Sequence, residues 1–217
     1  MSTQRDLFEA RYQHIAATDR VGWSDEDTIA NSVEKIRQII LGMQPGAFLE
    51  LGCGRGNIAI AFADEWQVTG VDFSPTAVRW ANQLALKTSK SATFVEADLS
   101  EDWPFGGSSF DIVFDANCLH FFHGVDRQHF IREAYRVAKP GGILILDTIV
   151  NLPAQEHWKM LGYDPLTKAS DRDGVAMNYY TEVPELLQLV AGNGFTITST
   201  EITKLDDEHV WLVATKA

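Results

Sequence analysis

The sequence predicts an α/β fold: a doubly wound, mostly parallel seven-stranded sheet with helices on both faces and an antiparallel C-terminal hairpin strand. Helical and strand-like segments alternate along most of the chain, which is typical of such sheets. The strand-like runs are continuously apolar, as expected for strands covered on both faces. The seven runs are Ala47–Leu51, Gln67–Val71, Thr93–Val95, Phe110–Phe114, Ile143–Leu146, Phe195–Ile202 and His209–Thr215.

Helices are predicted between these strands from periodicity and capping residues. Ser24 precedes apolar residues at helical spacing, and Ser74 followed by Pro75 marks the start of another helix. Five helices are predicted in this way, and the last of them lies in the tail, where Thr181 would cap it. They are 25–41, Asn57–Glu65, Pro75–Lys87, Arg127–Ala138 and 182–191. The last two strands are separated by the polar turn Lys204–Glu208, which predicts a hairpin at a sheet edge.

The chain of 217 residues, 45% of them hydrophobic, is predicted to form one domain, 1–217. Its parts are a helical lead (1–46), a ligand-binding core (47–148), an insertion (150–180) and a C-terminal helix with the hairpin (181–217). The insertion is too long for a simple connection and is rich in Trp, Tyr and Met. We therefore expect it to form a lid or part of an acceptor site.

The composition and charge of the chain disfavour some kinds of partner and cellular location. The formal net charge of -12 disfavours a nucleic-acid partner, because phosphate binding depends on clustered Lys and Arg. Neither a signal peptide nor a long apolar segment is apparent, so we expect no membrane span and a cytoplasmic location. The two cysteines, Cys53 and Cys118, are expected to be reduced.

The strongest motif is FLELGCGRGNIAIAFA, Phe48–Ala63, in which an apolar strand leads through glycines into a helix. Glycine allows a ligand close to the backbone, and the helix start offers unpaired N–H groups. The dinucleotide fingerprint requires a glycine where Asn57 stands, and the third glycine comes one position early, at Gly56. A turn that merely packs tightly is the structural alternative.

With acidic Glu50 two residues before Gly52, this motif resembles motif I of the class I S-adenosylmethionine-dependent methyltransferases. Asp72, about 20 residues after Gly52, resembles the acid that binds the ribose. Asp98 after the third strand resembles the acid that binds the adenine amino group, and Phe73 is a candidate neighbour of the adenine. The resemblance implies a binding site for this methyl donor formed by Glu50, Gly52, Cys53, Gly54, Gly56, Asn57, Asp72, Phe73, Ala97, Asp98, Leu99 and Asn117.

Two later segments extend the resemblance over nearly all of residues 47–148. FDIVFDANCLHFF, Phe110–Phe122, is similar to the fourth-strand motif, and KPGGILIL, Lys139–Leu146, is similar to the entry to the fifth strand. The family members that methylate nucleic-acid amino groups often carry Asn or Asp, then Pro-Pro and an aromatic residue, after the fourth strand. Asp115–Cys118 departs from that pattern, which also disfavours a DNA-base substrate.

Methyl transfer from a sulfonium requires mainly a positioned acceptor and exclusion of water, so no catalytic side chain is obligatory. If the acceptor must lose a proton, His120 is the preferred base; the alternative is that it is a surface or helix-capping histidine. His120 and His123 alone do not predict a metal site. A nucleophilic role for Cys118 is the weaker interpretation, since packing explains it as well.

An acceptor site is expected where the lead, the loop after the fourth strand and the insertion meet, as the family resemblance implies. Its candidate residues are Tyr12, Trp23, His120, Phe121, His123, Tyr179 and Tyr180. An aromatic lining would suit an apolar or cationic small molecule, although most aromatic residues are simply core.

The sequence therefore predicts a methyltransferase that acts on a small molecule and releases S-adenosylhomocysteine. A nicotinamide-dependent oxidoreductase and a non-catalytic protein that binds the methyl donor as a sensor or partner subunit are the alternatives. The acceptor, the attacked atom and the choice between monomer and homodimer stay open at this point.

Overall fold

The computed structural model describes residues 3–18, 22, 24–151, 155, 158–172, 174–204 and 208–217. The chain divides into two compact units, Arg5–Leu99, called here the N-terminal unit, and Ser100–Ala217, called the C-terminal unit, to which Gln4 also belongs. No described helix has the length and apolar character needed to cross a bilayer.

The secondary structure follows the predicted alternation. The helices are α1 (Gln4–Ala16), α2 (Glu26–Ile39), α3 (Asn57–Phe62), α4 (Pro75–Thr88), a 3-10 helix (Leu119–Phe121), α5 (Gly124–Val137), α6 (Trp158–Leu161) and α7 (Val183–Gly192). The strands are β1 (Ala47–Leu51), β2 (Gln67–Asp72), β3 (Ala92–Glu96), β4 (Phe110–Ala116), β5 (Ala138–Ile149), β6 (Ala169–Arg172), β7 (Val175–Tyr179), β8 (Phe195–Lys204) and β9 (Glu208–Lys216).

The main sheet has seven strands in the order β3-β2-β1-β4-β5-β9-β8, which confirms the predicted fold class. In the N-terminal unit, β2 pairs in parallel with β1 and β3. In the C-terminal unit, β4 and β5 are parallel, whereas β9 is antiparallel to both β5 and β8. The antiparallel hairpin therefore closes the predicted edge of the sheet.

Capping residues position the helices of the N-terminal unit. Ser74 caps α4 as predicted, because its side chain accepts from the Ala77 N–H at 3.0 Å. For α2 the predicted cap Ser24 was wrong. Asp25 fills that position, and its carboxylate accepts from the Thr28 N–H at 2.8 Å. Aspartate is as good an N-cap as serine, so a run of two capping residues leaves the helix start ambiguous in sequence.

The C-terminal unit contains more regular structure than the sequence indicated. Strand β5 runs from Ala138 to Ile149, and its last eight residues are buried. The insertion, predicted to be irregular, contains the one-turn helix α6 and the two-stranded sheet β6-β7. Helix α7 begins one residue later than predicted, with Glu182 rather than Thr181 at the N-cap and no side-chain capping bond.

A small apolar cluster anchors the insertion within its unit. Tyr163 and Tyr180 pack edge-to-face, with ring centroids 5.5 Å apart, against Ile149 at the end of β5. Trp158 and Leu161 of α6 pack on the same cluster. Aromatic burial of this kind stabilises a segment that has little regular structure of its own.

Candidate functional site

The glycine turn between β1 and α3 has the backbone that its sequence predicts. Gly52, Gly54 and Gly56 have φ of 67°, 52° and 78°. These values lie in the left-handed region, which glycine enters without a steric penalty. The Gly56 N–H donates to the Cys53 carbonyl at 2.8 Å and closes the turn, and helix α3 begins at the next residue, Asn57.

Gly56 is also required by close packing. A Cβ at this position would stand 2.6 Å from the Phe94 ring on β3. Cys53 is buried, and its N–H donates to the Val71 carbonyl at 2.9 Å, which ties the turn to the end of β2. The turn is thus a fixed backbone cradle at the carboxyl end of the first strand, where open α/β sheets bind ligands.

Glu50 lies beneath this cradle. Its Oε2 accepts from the Ala59 N–H at 2.8 Å, in the first turn of α3. Gly56 at the N-cap has no side chain to perform this task, so the carboxyl group satisfies one of the unpaired N–H groups of the helix. Burial raises the pKa of Glu50 to about 8, and the Asp72 charge adds a smaller increase. Glu50 therefore stabilises the start of helix α3, which directly follows the cradle.

Asp72, the last residue of β2, is a buried carboxylate that accepts three hydrogen bonds. Its Oδ2 accepts from the Gly54 N–H at 2.9 Å and from the Tyr12 hydroxyl at 3.2 Å. Its Oδ1 accepts from the Ser74 N–H at 2.9 Å. Burial raises the pKa of Asp72 to about 6, against the opposing effect of these hydrogen bonds. Tyr12, predicted at the acceptor side, thus contacts the predicted ribose-binding residue.

The predicted adenine neighbours lie beside helix α1. Arg5 forms an ion pair with Asp98 (Nη1 to Oδ2, 2.8 Å), and its guanidinium lies 5.5 Å from the centroid of the Phe73 ring. Phe8 packs edge-to-face on Phe73 with centroids 6.1 Å apart. Arg5 was not predicted as a site residue. Nothing in its sequence context distinguishes it from a surface arginine at the start of a helix.

Two further predicted residues complete this edge. The Ala97 N–H donates to the Asp72 carbonyl at 3.1 Å, and Leu99 is buried. This combination of groups fits an adenosine group. It consists of the glycine cradle, a carboxylate that can accept hydrogen bonds from ribose hydroxyls, and an aromatic ring beside a second carboxylate. These residues would hold the nucleoside part of S-adenosylmethionine, whose sulfonium supplies the activated methyl.

Asn117, the remaining predicted donor-site residue, lies in the C-terminal unit directly after β4. Its φ of 59° is left-handed, which is uncommon outside glycine. The backbone N–H donates to the Asp147 carbonyl at 3.1 Å, and Nδ2 donates to Asp147 Oδ2 at 2.9 Å. Asp147 Oδ1 in turn lies 3.2 Å from His209 Nδ1. These three residues form a connected polar group at the carboxyl ends of β4 and β5.

Asp115 organises the loop that follows β4. Its Oδ1 accepts from the N–H groups of Cys118 and Leu119 at 3.0 and 3.1 Å. Arg127 on α5 is buried and donates to the Leu119 carbonyl at 2.9 Å. Burial raises the pKa of Asp115 to about 8 and lowers that of Arg127 to about 10. The loop that carries His120 is therefore held at the start of its 3-10 helix, at Cys118 and Leu119.

His120, the predicted base, is only 4% exposed. Its Nδ1 lies 3.4 Å from Thr148 Oγ1, and its ring centroid is 4.1 Å from that of Phe121. Burial, together with the charges of His209 and Arg127, lowers the pKa of His120 to about 3. At neutral pH the ring is uncharged and weakly basic, which favours a packing role over proton abstraction.

The other predicted acceptor residues of this unit have distinct surroundings. His123 Nε2 lies 3.0 Å from the Met177 carbonyl, and its ring packs edge-to-face on Tyr179. The Tyr179 hydroxyl donates to Glu185 at 3.2 Å, and the Arg127 guanidinium lies over its ring. Tyr180 is 1% exposed, within the apolar cluster of the insertion. Trp23 lies outside the described residues.

Four site residues of the C-terminal unit were missed by the sequence analysis. Asp147 follows the apolar run of the fifth strand, so the reasoning that identified Asp72 could have found it. His209 could not be found in this way, because only the antiparallel pairing of β9 with β5 brings it back to this edge. Asp115 lies within the segment that resembles the fourth-strand motif but was not assigned a role there, and Arg127 belongs to no motif.

Comparison with known proteins agrees with the motifs. A family model described as a methyltransferase domain matches residues 48–142. A 27-O-demethylrifamycin SV methyltransferase of Amycolatopsis mediterranei is 36% identical over 141 residues, which cover 61% of this chain and 51% of that protein. This chain spans about half the length of the curated relatives it matches.

Solved structures share the fold over nearly the whole chain. The Burkholderia thailandensis 1,6-didemethyltoxoflavin-N1-methyltransferase, crystallised with 1,6-didemethyltoxoflavin and S-adenosylhomocysteine, superposes with a TM-score of 0.73 at 18% identity, covering 100% of this chain and 91% of that one. The 4+2 cyclase SpnF superposes with a TM-score of 0.75 at 18% identity, covering 99% and 96%. At these identities the likeness concerns the fold alone. The glycine motif and the methyltransferase-domain match over residues 48–142 agree, and this part of the chain is similar to methyltransferase domains.

Proposed function

We propose that this protein transfers the methyl group of S-adenosylmethionine to a small-molecule acceptor and releases S-adenosylhomocysteine. The observation that carries the proposal is the coupling of the glycine cradle to Asp72. The Gly54 N–H donates to Asp72 Oδ2, so the backbone that would contact the donor also orients the carboxylate that would bind its ribose. A turn that served only packing would not need a buried carboxylate bonded to its backbone.

The residues predicted to bind the donor remain part of this proposal. Gly52, Gly54 and Asn57 would contact the donor from the cradle, and Phe73 and Asp98 would contact its adenine. Asn117 was predicted to bind the donor, but we assign it to the acceptor side because it binds Asp147. His120 would contribute to the same side, with Phe121, His123 and Tyr179 in the same unit. A sulfonium methyl needs no further activation, so positioning supplies most of the rate.

The proposed acceptor is a small molecule, which three observations support. The relative from Amycolatopsis is named for a methyltransferase of 27-O-demethylrifamycin SV, and the Burkholderia structure holds 1,6-didemethyltoxoflavin. The net charge of -12 opposes binding to nucleic-acid phosphates.

A hydroxyl acceptor is favoured, because the polar group at the ends of β4 and β5 includes a histidine paired with a carboxylate, Asp147.

Donor binding is tested by titration calorimetry of the purified chain with S-adenosylmethionine, S-adenosylhomocysteine and NADH. We expect both sulfur compounds to bind and NADH not to bind. Asp72→Asn should weaken S-adenosylhomocysteine binding by roughly 10-fold or more, because hydrogen bonds to a charged acceptor contribute about 1.5–3 kcal/mol. Asp27→Asn, at an exposed aspartate of α2, is the matched control.

Three other functions predict different results. An oxidoreductase would bind NADH in preference to S-adenosylhomocysteine. A sensor would bind the donor without transfer to any member of a broad acceptor panel. A cyclase, as found on the same fold in SpnF, would convert a substrate with no gain of a methyl group. Mass spectrometry of the panel after incubation with a deuterated methyl donor separates these outcomes.

We also propose that residues 1–217 act as a single methyltransferase domain in the cytoplasm. Neither Cys53 nor Cys118 forms a disulfide, which is compatible with a reducing compartment. Sedimentation analysis would distinguish the monomer from the homodimer.

A further inference from the structure

A histidine that no sequence motif identified is held by a carboxylate at the carboxyl end of β5. His209 Nδ1 lies 3.2 Å from Asp147 Oδ1, and its side chain retains 20% of its exposure. Among the described residues, no hydrogen bond involves His209 Nε2. A carboxylate on one ring nitrogen fixes the tautomer and leaves the lone pair of the other nitrogen available to a ligand.

The pair is positioned by the sheet itself. Strand β9 is antiparallel to β5, with His209 opposite Ile149 and Trp211 opposite Asp147. His209 and Asp147 are therefore diagonal neighbours on one face, a separation that long side chains can bridge. The Val150 N–H donates to the Glu208 carbonyl at 2.8 Å and fixes the start of β9 beside the end of β5.

The carboxylate is fixed from its other side by Asn117. Asn117 uses both its backbone N–H and its side-chain Nδ2 to bind Asp147. It does so from a left-handed backbone conformation with φ of 59°. Its Oδ1 is buried and has no hydrogen-bond partner among the described residues. A strained residue with an unsatisfied polar atom is more typical of a ligand site than of a structural ion pair.

These observations lead to a role for the pair in the reaction. We propose that His209, oriented by Asp147 and Asn117, is the general base that accepts the proton of a hydroxyl acceptor. This inference rests on the proposed function and deepens it. It also explains why His120, buried on the same side of the unit, needs no catalytic role: it packs between Thr148 and Phe121.

The step balances as an in-line displacement. As the acceptor oxygen forms its bond to the methyl carbon, the methyl–sulfur bond breaks and its electron pair passes to sulfur, which becomes the neutral thioether of S-adenosylhomocysteine. The acceptor O–H bond breaks, and its proton passes to His209 Nε2. Asp147 stabilises the resulting imidazolium without taking the proton, and water then removes that proton from His209.

The kinetic test compares two probe acceptors of different acidity, phenol and 4-nitrophenol, at mildly alkaline pH. Phenol is mostly protonated there and needs a base, whereas 4-nitrophenol is mostly ionised and does not. For His209→Gln we expect kcat to fall roughly 100-fold or more with phenol, with a change of only a few-fold with 4-nitrophenol. Equal losses on both acceptors would show a structural role and overturn the inference.

The control variant is His129→Gln, at a half-buried histidine of α5 whose Nε2 lies 2.8 Å from the Glu101 carbonyl. It should leave both rates near wild type. Calorimetry with S-adenosylhomocysteine accompanies each variant, so a loss of donor binding is recognised separately. If the wild type binds no donor, the proposed function fails.

A spectroscopic test applies whether or not either phenol is turned over. In the wild-type protein labelled with 15N-histidine, long-range proton–nitrogen spectra should show neutral His209 protonated on Nδ1 and bare on Nε2. The Nε2–H tautomer would overturn the inference. In Asp147→Asn, whose amide has nearly the size and shape of the carboxylate but can also donate, the Nδ1–H preference should be lost. Because the first measurement uses the wild type, a variant that fails to fold does not remove the test.

Discussion

The Tyr12 hydroxyl donates to Asp72 Oδ2 at 3.2 Å and links helix α1 to the end of β2. Tyr12 is buried, and the same oxygen of Asp72 also accepts from the Gly54 N–H. The residue that orients the glycine cradle therefore also anchors the N-terminal helix within its unit. This relationship leads directly to the first prediction.

Tyr12→Phe should lower the free energy of unfolding of the ligand-free protein by about 1 kcal/mol, because one of three donors to a buried carboxylate is lost. Urea denaturation measures the change. A double-mutant cycle with Asp72→Asn should give a coupling energy of roughly 0.5–2 kcal/mol, as for residues in one hydrogen-bond network. Additive effects would mean that the two side chains do not interact in solution.

Gly56→Ala should destabilise the protein more than Gly42→Ala. Both glycines have positive φ, 78° and 85°. A Cβ at Gly56 would stand 2.6 Å from the Phe94 ring, whereas nothing lies within 4 Å of a Cβ at Gly42. Gly42→Ala therefore measures the backbone cost alone, about 1–2 kcal/mol, and Gly56→Ala adds an overpacking cost of roughly 1–3 kcal/mol. Equal losses in the free energy of unfolding, measured by urea denaturation, would show that the Phe94 ring moves away from the added methyl group at no energetic cost.

Glu50 should make stability depend on pH in a defined window. Burial raises its pKa from an ordinary value of 4.5 to about 8 in the folded protein. The stabilisation by the neutral carboxyl is thus fully present below pH 4.5 and is lost as the pH rises through about 8. In Glu50→Gln this titration is absent, so wild type should lose stability relative to the variant across that window, by at most about 1.4 kcal/mol per pH unit.

Urea denaturation at a series of pH values measures this difference. Glu34→Gln, at an exposed glutamate of α2, should follow the wild-type curve. Parallel curves for wild type and Glu50→Gln would contradict a raised pKa. Glu50→Gln should also keep its side-chain oxygen on the Ala59 N–H, so helix α3 remains capped.

Local rules explain why one side of the site could be predicted from sequence. The glycine turn follows β1, Asp72 ends β2 and Asp98 lies two residues after β3, so the positions of the strand ends alone bring them to one edge. Ser74 could be assigned as a cap because Pro75 follows it. The connection to Tyr12 could not be predicted, because it depends on how α1 packs on its unit and no local pattern encodes that packing.

The polar group of the C-terminal unit shows the limit of such rules. Asn117 and His120 were identified from their motif, but their partners Asp147 and Thr148 depend on the register between β4 and β5. His209 depends further on the antiparallel pairing of β9. The low pKa of His120, about 3, follows from burial by residues distant in sequence. The sequence identifies residues that can act as acids or bases, but the pKa of each depends on its burial in the folded protein.

Asp115 provides the last prediction, on the loop that carries His120. Its Oδ1 accepts from two N–H groups, those of Cys118 and Leu119, and burial raises its pKa to about 8. Asparagine retains an oxygen at this position and should cost less than about 1.5 kcal/mol. Asp115→Ala removes the acceptor shared by these two N–H groups and should cost roughly 2–4 kcal/mol. Urea denaturation of both variants gives the comparison.

The same pair of variants tests whether this loop supports the acceptor side. Asp115→Ala should raise KM for an acceptor while leaving calorimetric affinity for S-adenosylhomocysteine within a few-fold of wild type, because the predicted donor residues of the N-terminal unit are untouched. Asp115→Asn should keep KM near wild type, since the two N–H groups stay paired. If both variants lost S-adenosylhomocysteine binding while remaining folded, the loop would belong to the donor site instead.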